Sequence, residues 1–143
     1  MHLAFAMYHL SAIGKAAFNF DLKCLENLKS GHNAISNSFE YLLAELPRRA
    51  FSPHEVDHDY DVDNDQNRQW KDAHDAVHGV IQNVVAQRLK DRSSGVKTPD
   101  DLLDKMISTY EEKFGKGNDA AQLTEELGAN LVEILFAGYP LSK

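Results

Sequence analysis

The chain has 143 residues, 43% of them hydrophobic and 26% charged, a balance that suits one globular domain and argues against global disorder. Its formal charge of -7 comes without a long basic run, which argues against a nucleic-acid surface because phosphate binding needs clustered Lys and Arg. One cysteine, Cys24, excludes an internal disulfide, and no stretch approaches the ~20 apolar residues of a membrane-spanning helix.

Residues Leu3–Phe18 place Leu3, Met7, Leu10, Ile13, Gly14 and Phe18 at helical spacing, which predicts a helix buried over most of its surface. The apolar run lacks a preceding basic stretch, and His9 and Lys15 break it, so it does not read as a signal peptide. Asn19 and Asp21 predict a turn. A second helix is expected over Ser30–Leu46, where Ile35, Phe39, Leu42, Leu43 and Leu46 repeat at three and four, with Pro47 as its stop. From Arg48 to Asn67 there is no sustained apolar period, and Pro53 with the acidic run after it predicts a long loop.

A third helix is expected over Gln66–Arg92, with Trp70, Ala73, Val77, Val80, Ile81, Val84, Val85 and Leu89 in one stripe. Ser93, Ser94 and Gly95 end it, and Thr98 followed by Pro99 and two aspartates predicts a new start, with proline at the first helical position. The fourth helix is then Pro99–Phe114, carrying Leu102, Leu103, Met106, Ile107 and Tyr110, followed by a polar linker at Gly115–Asp119. In the last helix Thr124 is the expected N-cap, with Glu125 and Glu126 in the first turn. Between Leu127 and Ala137 only Gly128, Asn130 and Glu133 interrupt the apolar residues, so this helix must be enclosed by other elements. Five helices and no convincing strand make the expected fold all-α.

Three groups of residues invite a chemical reading. Asp57, Asp59, Asp61, Asp63 and Asp65 alternate like the first half of a calcium loop, but a register starting at Asp61 puts Gln66 and Asp72 where Gly and Glu are required. The run therefore reads as a solvated acidic loop. His54 with His58, and His74 with His78, are each four apart, yet Asp75 stands where the HExxH pattern needs Glu and no third ligand is evident. They read as surface histidines on a polar face, with no metal. Cys24, between Leu22-Lys23 and Leu25-Glu26, has no activating neighbour and reads as a packed thiol.

Two longer stretches carry more. DLLDKMISTYEEKFGKGNDAAQLTEELGANLVEILFAG, ending at Gly138, resembles the passage from the H helix into the central I helix of cytochrome P450 monooxygenases, and SAIGKAAFNFDL at Ser11–Leu22 resembles the end of that family's E helix. The resemblance implies a haem-thiolate monooxygenase acting on a small apolar organic substrate with a redox partner. It implies that the chain is the E-to-I portion of that larger fold, a partial domain over 1–143 ending in the first half of the I helix. Ala137 and Gly138 then correspond to the haem-facing oxygen groove, where a glycine lets the helix backbone pass close to the cofactor. The intervening helices correspond to F and G, and they offer Phe39, Leu43 and Phe51 as candidate pocket-roof residues against the plainer reading of core packing.

The departures shape what is expected of the chain itself. Where the family has an acid or amide followed by threonine, this sequence has Pro140 and Leu141, and nothing after them matches the family's later Glu-x-x-Arg or its Phe-x-x-Gly-x-Arg-x-Cys-x-Gly segment. The expectation is a fragment, with PLSK replacing family sequence, that binds no haem and is inactive alone. Eukaryotic members are usually anchored in the endoplasmic reticulum or plastid; the anchor is not among these residues, and the resemblance gives this chain no location. An apolar last helix without its surroundings predicts self-association. The alternative is a non-catalytic helical module docking through that helix.

Overall fold

The computed structural model describes residues 2–23, 34–51, 64–116 and 120–138. They form five helices, α1 (His2–Phe18), α2 (Ala34–Phe51), α3 (Asp65–Ser93), α4 (Leu102–Phe114) and α5 (Ala120–Gly138), and no strand occurs among the described residues. The all-α expectation therefore holds. None of these helices is long and apolar enough to cross a membrane.

α3 is the longest because both of its ends are specified and its apolar period is unbroken. The Asn64 side chain accepts from the Asn67 backbone N–H, and Lys90 and Arg92 sit in the last turn, where cations suit the helix dipole. Gly95 then takes φ +73° and Val96 N–H reaches back to the Asp91 carbonyl at 3.0 Å, a left-handed C-terminal cap that glycine adopts without strain. Trp70, Ala73, Val77, Ile81, Val84 and Val85 are all buried, as their spacing predicts. This stripe divides between two neighbours, with α2 and α5 each packing along α3. α1 crosses α5, α4 and α2 and contributes Met7, Leu10 and Phe18 to the same core.

Several expected boundaries move. Pro47 does not stop α2, which runs to Phe51 although proline inside a helix forfeits one backbone hydrogen bond and crowds the carbonyl four residues back, so Arg48–Phe51 are helical rather than loop. α4 begins at Leu102, not Pro99, because Asp101 is its cap and accepts from the Asp104 backbone N–H. Thr98 instead donates to the Asp104 carboxylate at 2.9 Å. α5 begins at Ala120, a turn before Thr124, whose hydroxyl donates to the Ala120 carbonyl at 2.6 Å. A threonine with its hydroxyl spent inside the helix cannot cap it.

α5 is not apolar on all sides. Leu123, Leu127, Leu131, Val132 and Leu135 are buried, while Ala129, Asn130, Glu133 and Ala137 are exposed. Gly128 is buried against α3, where an added Cβ would make an ordinary contact with Gln82 Cγ at 3.4 Å.

Candidate functional site

Where α2, α3 and α5 converge, the buried side chains of Leu42, Trp70 and Val132 floor an open cleft of about 440 Å³. Phe136 closes one wall, and its ring meets that of fully buried Phe39 edge-on, with centroids 5.0 Å apart at 69°. That arrangement is favourable for two aromatic quadrupoles, and it ties α2 to the C-terminal half of α5. Helical spacing then brings polar groups to the rim: His74 and His78 one turn apart on α3, and Glu133 on α5.

The two imidazoles are not spread over a polar face. They stack with centroids 3.9 Å apart and planes at 25°, and His78 is half-buried. Burial, with the neighbouring His74 charge, holds His78 below its ordinary value of 6.5, opposed only by Asp75. It is therefore a neutral ring at pH 7. The same pair borders a second cleft with Asp75, Gln82 and Glu125 on its other side. His54, His58, Cys24 and the run Asp57–Asp63 lie outside the described residues; Asp65 is exposed in the first turn of α3, ion-paired with Arg68.

The candidates from the sequence fall in different places. Phe39 is core, touching the cleft only through Phe136. Leu43 is half-buried and does not line the cleft, whereas its neighbour Leu42 does. Phe51 is the last residue of α2, with its side chain outside the described set. Ala137 is exposed beside Phe136, and Gly138 ends α5. Trp70, Glu133 and the His74–His78 pair are the members that sequence reasoning missed. The only local signal for them is a tryptophan opening the α3 stripe with histidines four and eight residues on.

The cleft offers apolar walls, one carboxylate and a stacked pair of imidazoles, a set suited to holding an organic molecule. Among the described residues no group of three or more His, Cys, Asp or Glu is placed to hold a metal ion. A haem iron held through a cysteine thiolate finds no cysteine among them, and Cys24 sits in Leu-Lys-Cys-Leu-Glu, which is not the glycine-containing cysteine segment of the family resemblance. The described residues do not fit iron ligation by themselves.

Comparison with curated proteins and with solved structures gives no match. The family model described as Cytochrome P450 matches residues 1–140, nearly the full length and both segments that carry the resemblance. Haem binding and monooxygenase chemistry are properties of that family, and the chain belongs to the cytochrome P450 family.

Proposed function

We propose that this chain forms the helical wall of a haem-dependent monooxygenase that oxidises an apolar organic substrate, with Ala137 and Gly138 on the oxygen side of α5 and the α2–α3–α5 cleft on the substrate side. The observation that carries this reading is the position of the cleft. Its wall residue Phe136 immediately precedes Ala137, so a molecule against Phe136 lies one helical step from the small-residue end. Bound haem supplies oxygen activation in this family. The chain's own residues do simpler work: Leu42, Trp70, Val132 and Phe136 exclude water and orient hydrocarbon, while Gly138 adds no side chain where backbone and cofactor approach.

Pro140 and Leu141 carry no proton to deliver, and the 143 residues hold no cysteine loop of the family type. The isolated chain is accordingly inactive in this proposal. Purified chain given haem and reductant under carbon monoxide should show no thiolate-type Soret band, and a clear one would overturn this inactivity. Burial of Leu123, Leu127, Leu131 and Leu135 inside the bundle favours this reading over a docking module built on α5, since those side chains are already used.

A further inference from the structure

The rim of the cleft has a charge imbalance that hydrophobic binding does not explain. Glu133 is exposed and forms no ion pair among the described residues. Among the described residues no lysine or arginine lines the cleft. Among the described residues the only basic groups lining it are the stacked imidazoles, of which His74 lies 3.5 Å from the Asp75 carboxylate and His78 is held below its ordinary value by burial, and neither pairs with Glu133. Behind them, Asp75 and Glu125 border the adjoining cleft and deepen the negative potential, in a chain whose formal charge is already -7. Two aromatic rings line the same cleft, Phe136 one turn after Glu133 on α5 and Trp70 one turn before His74 on α3, and aromatic rings attract a partly desolvated cation.

We infer that the cleft selects amphiphilic cations, molecules with an apolar body seated on Leu42, Trp70 and Phe136 and a protonated amine directed to Glu133. The inference rests on the substrate-side reading of the cleft and goes further by naming the class of molecule. A neutral compound of the same shape would gain the apolar contacts and lose the carboxylate; an anion would meet repulsion as well.

Trp70 is the sole tryptophan and stands in the cleft wall, so its emission reports occupancy without haem or turnover. The experiment titrates the chain at pH 7.5 with 2-cyclohexylethylamine, 2-cyclohexylethanol and cyclohexylacetate, a matched series in which only the head group changes and the amine is protonated. The amine should bind roughly tenfold more tightly than the alcohol, as an ion pair with cation–π support allows, and the acid most weakly. Glu133→Gln should bring the amine level with the alcohol, and the exposed position of Glu133 keeps the change clear of the core. Equal binding of amine and alcohol, or a preference that survives Glu133→Gln, overturns the cation selectivity while leaving the cleft as a site. Trp70 emission that responds to none of the three overturns the substrate-side reading itself.

Discussion

Two glycines in similar helical settings answer to different constraints. At the end of α1, Asn19 takes φ +47° and Phe20 N–H returns to the Gly14 carbonyl at 3.1 Å, so the chain folds back across its own last turns. Leu22 thereby lands on Gly14, where a Cβ would stand 3.0 Å from Leu22 Cγ, Leu22 Cδ1 and the Phe20 carbonyl. A side chain could be admitted only by moving backbone. Gly14→Ala should destabilise the fold by about 1–3 kcal/mol, the usual cost of overpacking. At Gly79, on α3, an added Cβ would meet nothing within 4 Å. Gly79→Ala should stabilise by about 0.5–1 kcal/mol through the unfolded chain and helix propensity. Thermal melts of the two variants should move in opposite directions, and shifts of the same sign would contradict the packing at Gly14. The sequence placed Gly14 on the buried face and in its motif but could not show what crowds it, because Leu22 arrives only after a turn.

The joint between α3 and α4 is held by charge rather than by apolar contact. Arg88 donates through Nη1 and Nη2 to the two oxygens of Asp101, each at 2.7 Å, and through Nη2 to the Phe18 carbonyl at 3.1 Å, with both side chains only 7% exposed. Asp101 also accepts from the Asp104 backbone N–H, so one carboxylate caps α4 and neutralises a buried guanidinium from α3. Arg92 extends the joint to Asp104 and Glu111, each at 2.9 Å. Arg88→Ala should cost about 3–5 kcal/mol in denaturant unfolding, since it strands a buried carboxylate. Burial raises the Asp101 pKa, but the Arg88 hydrogen bond and the backbone N–H outweigh it and hold it below 3.8. A carboxyl depressed in the folded state contributes stability that is complete above its unfolded value and is lost as pH falls through the folded one. The native chain should therefore lose stability more steeply below about pH 4 than Asp101→Asn does, and parallel acid profiles would rule out this role. The same joint explains why Pro99 misled as a helix start: a cap whose partner lies 13 residues back on another helix has no local spacing to betray it. Thr124 misled similarly, being a good cap by type but already inside the helix.

What was legible in the chain as a whole follows from how far each feature reaches along the sequence. The stripe from Trp70 to Val85 and the left-handed stop at Gly95 are local, and both were readable. The cleft was not, because Leu42, Trp70 and Val132 become neighbours only once α2 and α5 flank α3, and the roles proposed for Ala137 and Gly138 rest on the family motif alone. Surface stickiness shows the same division. The sequence placed it on the last helix, yet none of the large exposed apolar side chains among the described residues lies on α5. On α1, Phe5 is 52% and Tyr8 is 59% exposed, three residues apart on one helical face, with the His9 ring 4.2 Å from the first and 5.9 Å from the second. A contiguous aromatic surface of this kind favours association, and the formal charge of -7 opposes it, so self-contact should appear with rising protein concentration and strengthen as salt screens the repulsion. Sedimentation velocity should show that behaviour for the native chain, and the Phe5→Glu/Tyr8→Glu double variant should remain monomeric over the same range. A native chain that stays monomeric in high salt would contradict association, and a double variant that associates as the native chain does would exclude α1 as the contact.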